Sequence, residues 1–262
     1  SSLLGSLLQV LKFNLDRKAT QVRVFELGRV FMRDASVATT DSTVKGVHQP
    51  MRLAGLAWGD AAHGRWEGKA ERVDFFDIKG DVEALLAPRV PTFEATEHPA
   101  LHPGRAARVL LDGREIGVVG ELHPRWRQKW DFAQAPILFE LALDAVTARP
   151  VPVAQPVPKQ QPVERDLALV VAEAVTHDAL MGAIRAASDA SLLRDLALFD
   201  IYRPTVGRDG AVAGGGLAAG EKSMAVRLSF NSDSALTDEQ VEAAVRKIID
   251  QLGARLGARL RV

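Results

Sequence analysis

The periodicity of this chain predicts an α+β protein of two domains: an antiparallel-sheet domain, then a ferredoxin-like βαββαβ domain. Three observations carry the expectation. From Val163 onward the pattern runs strand, helix, strand, strand, helix, strand, the split βαβ order. Between Pro150 and Pro162 stand Pro150, Pro152, Pro156, Pro158 and Pro162, a stiff extended stretch that cannot become a helix. Before it, helices and neighbouring strands follow one another without regular βαβ alternation, which suits an antiparallel sheet. The expected boundaries are 1–149, a Pro-rich linker at 150–162, and 163–262.

In the first domain a helix over Leu3–Leu15 leads into a strand over Val22–Phe31, and a second strand spans Leu53–Trp58. Residues Phe75–Leu86 read as a helix, with Ile78, Val82, Leu85 and Leu86 on one side. Asp74 and Asp77 at its start suit the positive end of the helix dipole and its unpaired N–H groups. Val109–Leu111 and Ile116–Val119 flank Asp112-Gly113, a tight hairpin turn. Trp126 and Trp130 have the spacing of a short helix, and Ile137–Leu143 closes the domain as a strand.

In the second domain side chains two apart share a strand face. Leu167, Leu169 and Val171 point one way, and Asp166, Ala168 and Val170 the other. Met224, Val226, Leu228 and Phe230 form an apolar side opposite Ser223, Ala225, Arg227 and Ser229. The strand Leu192–Tyr202 places Asp200 and Tyr202 together. The apolar sides are buried only by meeting the two helices. One starts near Thr176 and carries Leu180, Ile184 and Ala187. The other opens with Thr237 and Gln240, a capping-box spacing, and continues through Val241, Ala244, Val245, Ile248, Ile249 and Leu252. Gly257 fits its stop, and residues 258–262 supply the last strand. Ala168, Asp200, Tyr202, Ser223 and Arg227 are left on the helix-free face. RNA-recognition modules with bare sheets stack unpaired bases on aromatic rings there, and Tyr202 is the only tyrosine of the chain. The alternative is a packed tyrosine whose hydroxyl finds a partner.

Composition sets bounds. With 262 residues the chain can bury full cores without staples. The absence of cysteine removes disulfide and thiolate chemistry and suits a reducing compartment. No apolar run is long enough for a bilayer, so no membrane partner is expected. There is no secretory signal. The opening Ser1-Ser2, without methionine, suggests a fragment of something larger. Charge balances at 33 basic and 33 acidic residues. From Val163 onward 12 basic residues face 14 acidic ones, a net charge of −2. That argues against a free-standing nucleic-acid binder, whose affinity rests on phosphate contacts.

Two motifs dissolve on inspection. Residues 215–223 resemble a phosphate loop, but Glu221 separates Gly220 from Lys222, and a strand follows where a phosphate loop enters a helix. His98 and His102 share a face only on a helix, which Pro99 and Pro103 oppose. Loop histidines are therefore expected rather than a metal site with His123, and no nucleophile set stands out. The run Gly207–Gly220 is of low complexity and reads as a mobile hairpin tip.

Several longer motifs occur in a fixed order: Val22–Phe31, Val73–Gly80, Ile116–Pro124, Arg165–Ala168, Leu198–Tyr202, Lys222-Ser223 and Leu236–Glu239. Together they resemble the C-terminal third of the β chain of bacterial phenylalanyl-tRNA synthetases, over essentially the whole chain. The resemblance implies a class II synthetase-like, catalytically silent domain, then a ferredoxin-fold anticodon-binding domain. Class II sites need a motif 2 arginine, but here Arg23 and Glu26 are spaced one residue wider than Phe-Arg-x-Glu. No glycine-rich motif 3 strand with its arginine follows. No catalytic residue and no metal site is then expected here. ATP and magnesium would be used by the whole enzyme, with charging of tRNA done by the α chain in a cytoplasmic α2β2 heterotetramer. The anticodon of tRNA(Phe) would meet Ala168, Asp200, Tyr202 and Ser223. Against this stand a regulatory small-molecule-binding ferredoxin-like module and a metal hydrolase using His98, His102 and His123.

Overall fold

The computed structural model describes residues 1–61, 71–149, 151, 153–154, 159–189, 191–206, 212–213, 216–232 and 234–261. The chain divides into two compact units, Ser1–Pro152 and Val153–Val262. Pro150, Pro152, Pro156 and Pro158 of the expected linker, and half of the Gly207–Gly220 run, lie outside the described residues.

Unit 1 contains α1 (Leu4–Leu15), β1 (Gln21–Arg29), β2 (Met32–Arg33), β3 (Val47–His48), β4 (Met51–Gly59), α2 (Phe75–Leu86), β5 (Thr92–Ala95), β6 (Leu101–Leu111), β7 (Arg114–Leu122), α3 (Pro124–Lys129), β8 (Ile137–Ala142) and α4 (Leu143–Thr147). Six strands form one sheet in the order β1-β4-β8-β7-β6-β5, and every pairing is antiparallel. Leu4, Leu7, Leu8 and Leu11 bury one stripe of α1 against Val22, Ala54, Leu56 and Leu138. On the opposite face Ile78, Val82 and Leu86 of α2 meet Leu53, Val109, Val119 and Leu141. Each fully buried side chain of this kind stabilises by roughly 1.5–3 kcal/mol. Because both faces are covered, β4 reads as a nearly continuous apolar run, Leu53 to Ala57, rather than as an alternation.

The helix starts follow local chemistry. Asp74 accepts from the N–H groups of Phe76 and Asp77 while Asp77 accepts from that of Asp74, a complete capping box on α2. Leu3 cannot cap α1, and the carboxylate of Glu140 on β8 takes that place, accepting from Leu3 N–H at 2.8 Å and from Ser2 Oγ at 2.7 Å. The hairpin turn at Asp112-Gly113 has both residues at positive φ, 52° and 77°, which matches the twist of the flanking strands. Its strands are longer than the alternation suggests, because β6 continues back to Leu101 through a register shift before Ala106. His102 therefore lies in an irregular strand and not in a loop.

Unit 2 contains β9 (Val163–Ala172), α5 (His177–Ala187), β10 (Leu193–Tyr202), β11 (Thr205–Val206), β12 (Val212–Ala213), β13 (Glu221–Phe230), α6 (Asp238–Leu256) and β14 (Arg259–Leu260). Its main sheet runs β10-β13-β9-β14, all antiparallel, and β11 pairs with β12 alone. With α5 after the first strand and α6 after the third, this is the ferredoxin-like βαββαβ arrangement. Leu167, Leu169, Val171, Met224, Val226, Leu228 and Phe230 form one core with Leu180, Ile184, Val241, Ile248 and Leu252 from the helices. Thr176 caps α5, Thr237 and Gln240 form the capping box of α6, and Gly257 ends α6 in the left-handed region at φ 63°.

Candidate nucleic-acid interface

The helix-free face of unit 2 is set by strand register. Ser223 of β13 lies between Tyr202 of β10 and Val170 of β9, and Ala225 lies between Asp200 and Ala168. The four residues singled out from the sequence thus occupy two adjacent rows of one face. Neighbouring strands are about 4.8 Å apart. Ala168, Ala225 and Ser223 make a floor of small side chains, with Asp200 and Tyr202 at the β10 edge.

A β-bulge makes this arrangement possible. Leu198 pairs with Val226 and Asp200 with Ala225, so Phe199 and Asp200 together oppose a single residue. The bulge lets Leu198 pack into the core while Asp200, two residues on, belongs to the open row. Phe199 is 55 % exposed, and the guanidinium of Arg227 lies over its ring, 5.5 Å from the centroid. Arg227 is held by Asp166 through two hydrogen bonds of 2.8 Å. That pairing lowers the Asp166 carboxyl below its ordinary range and raises Arg227 above its own. Phe199 is a second aromatic group on this face that alternation alone does not assign. The signal for it was Leu198 and Asp200, an apolar and a charged residue two apart in one strand.

The face is helix-free but not bare. Ser223 is only 3 % exposed and Val170 only 1 %. Arg261, beyond β14, places its guanidinium 4.6 Å from the centre of the Tyr202 ring. Arg259 binds Glu221 at 2.8 Å and the Gly216 carbonyl at 3.2 Å, which pins the end of the long hairpin to the sheet. The side chain of Asp200 has no hydrogen bond or ion pair among the described residues.

The other motifs resolve locally. Lys222 is buried and donates to the Glu173 carbonyl at 2.8 Å, and β13 continues from it as a strand, so it belongs to no phosphate loop. Nδ1 of His98 accepts from Ala100 N–H, that of His102 from Gly104, and that of His123 from Arg125, at 3.3, 3.3 and 3.1 Å. Each is a local turn or cap. Among the described residues no three potential ligands converge.

In unit 1 the widely spaced Arg23 and Glu26 have separate partners. Arg23 binds Asp81 of α2 at 3.0 Å, whereas Glu26 accepts from Ser6 of α1. They lie on opposite faces of β1, as an odd spacing requires. In β8 the Phe139 ring covers Gly55, where a Cβ would approach it to 2.3 Å. On the α2 side of edge strand β1, Phe25 is 72 % and Leu27 53 % exposed. They line an apolar groove of about 700 Å³ with Leu53, Ile78, Leu85 and Leu143. Among the described residues no helix is long and apolar enough to cross a membrane.

Residues 1–143 match the family described as phenylalanyl tRNA synthetase beta chain CLM domain. Residues 158–261 match the ferredoxin-fold anticodon binding domain. The chain is similar to phenylalanine–tRNA ligase beta subunits from Cupriavidus pinatubonensis and Ralstonia nicotianae, each 48 % identical, and from Dechloromonas aromatica, 45 % identical. Each similarity covers 100 % of this chain but 31–32 % of the relative, so the chain spans about a third of their length. With the two family matches in sequence on one chain, it belongs to the phenylalanyl-tRNA synthetase beta chain family.

Proposed function

We propose that this chain is the C-terminal segment of the β chain of a cytoplasmic phenylalanine–tRNA ligase, and that its open face in unit 2 reads the anticodon of tRNA(Phe). The observation that carries the reading is the placement of Ala168, Asp200, Tyr202 and Ser223 in two adjacent rows of one helix-free face. A ring offers a stacking surface, and a carboxylate accepts hydrogen bonds from a base edge such as that of guanine. A regulatory small-molecule site would call for an enclosed apolar pocket, which an open sheet surface does not supply.

Unit 1 in this reading is catalytically silent and holds no cofactor. The separation of Arg23 from Glu26 across the sheet and the Phe139 ring on Gly55 support this. ATP and magnesium then act in the α chain, which charges the tRNA within an α2β2 assembly. The groove at Phe25 and Leu27 supports a docking role toward that chain, since exposed apolar patches mark interaction surfaces. The test is charging of tRNA(Phe) transcripts with replaced anticodon bases by the assembled enzyme. A raised KM for the altered tRNA, with phenylalanine and ATP kinetics unchanged, supports the reading. Indifference to the anticodon refutes it.

A further inference from the structure

Arg261 is placed on the open face by the backbone. Leu260 pairs with Leu169 of the helix-facing row, and the N–H of Arg261 donates to the Ala168 carbonyl at 2.8 Å. Alternation therefore puts its side chain beside Ala168. From β14 it meets Tyr202 of β10 across the two intervening strands, above the small side chains of Ala168, Ala225 and Ser223. Its guanidinium stands over the Tyr202 ring, 4.6 Å from the centroid, and the ring itself remains partly exposed.

Neighbouring arginines among the described residues are ion-paired. Arg227 is bound by Asp166 at 2.8 Å, Arg259 by Glu221 at 2.8 Å and Arg203 by Glu173 at 3.0 Å. Arg261 has no ion pair and no side-chain hydrogen bond among the described residues. In a unit with more acidic than basic residues, an arginine parked on an aromatic ring keeps its fork of N–H donors free for an anion. RNA brings one beside every base.

We propose that Arg261 is a phosphate contact, binding the RNA backbone next to the base that stacks on Tyr202. The proposal rests on the anticodon-reading role of the same face. Its test is the salt dependence of tRNA(Phe) binding by the assembled ligase carrying Arg261→Gln, Arg261→Lys or Tyr202→Ala. Loss of one phosphate contact to a single strand lowers the slope of log Kd against log salt by about 0.7, so the weakening between about 50 and 200 mM salt shrinks about 2.6-fold. That result is expected for Arg261→Gln, with weaker binding at low salt, while Arg261→Lys keeps the wild-type slope. An unchanged slope in Arg261→Gln, or tighter binding by it, overturns the proposal. If Tyr202→Ala weakens binding in that same series, the anticodon reading survives and only the role of Arg261 falls. If Tyr202→Ala also binds normally, it is the anticodon reading that fails.

Discussion

Leu198 and Tyr202 stand on one strand with three residues between them, yet they face opposite sides of the sheet: Leu198 is paired with core residue Val226, Tyr202 with Ser223 of the open face. In a regular strand this spacing would put both on one side. Either the leucine would face outward or Asp200 and Tyr202 would be driven against the helices. The extra residue in the bulge separates the two demands.

Single-residue deletions test this directly. Removing Phe199 leaves Leu198, Asp200, Ile201 and Tyr202 as a regular alternation with the same partners. Urea unfolding of that variant should stay close to the parent. Removing Ile201 forces Asp200 or Tyr202 inward, and burying such a polar group costs about 1–3 kcal/mol or more. Equal damage from the two deletions would show that the bulge does not set the faces.

His98 gives a pH signature. Burial lowers its pKa from the ordinary imidazole range, partly opposed by the charge of Glu140. Its neutral Nδ1 accepts from Ala100 N–H. A group with a depressed folded-state pKa binds its proton more readily when unfolded. Its contribution is intact above about pH 6.5, the unfolded value, and declines as pH falls through that value toward the folded one. His98→Asn keeps an acceptor for Ala100 and does not titrate. The urea midpoint of the parent should therefore drop more between about pH 7 and pH 5 than that of His98→Asn. Parallel curves would contradict the assignment.

The groove on unit 1 calls for a partner. Phe25→Asp with Leu27→Asp places two charges on side chains that are already exposed, so the melting temperature of the chain should change little. Co-purification of the ligase α chain should be lost, because a charge without a partner in an apolar interface is costly. Undiminished assembly by the folded variant would remove this surface from the interface.

Much of the fold is readable from the residues because local and tertiary preferences agree. Asp74 and Asp77, or Thr237 and Gln240, announce helix starts that the structure completes as capping boxes. The row of Met224, Val226, Leu228 and Phe230 reads inward as it stands. The short strand β5 and helix α4 carry too few residues to show a period. The bulge at Phe199 has no composition of its own and appears only as a conflict within an alternating strand. Glu140, capping a helix more than a hundred residues earlier, and Arg261, reaching Tyr202 across two strands, are tertiary meetings that no sequence spacing encodes. Of the face itself, the pattern identified Ala168, Asp200, Tyr202 and Ser223, and register brings them together. It did not reveal that Ser223 is covered.

The most direct measurement is the KM for tRNA(Phe) of the assembled ligase carrying Tyr202→Ala, taken together with the melting temperature of the same variant. Base–aromatic stacking is worth about 1–3 kcal/mol per base, about ten- to a hundredfold in affinity. A rise of that size in the tRNA KM is expected, with phenylalanine and ATP kinetics and the folded fraction nearly unchanged. A folded Tyr202→Ala enzyme with a normal KM for tRNA, or one whose only defect is a lowered melting temperature, would contradict the anticodon-stacking role of this face.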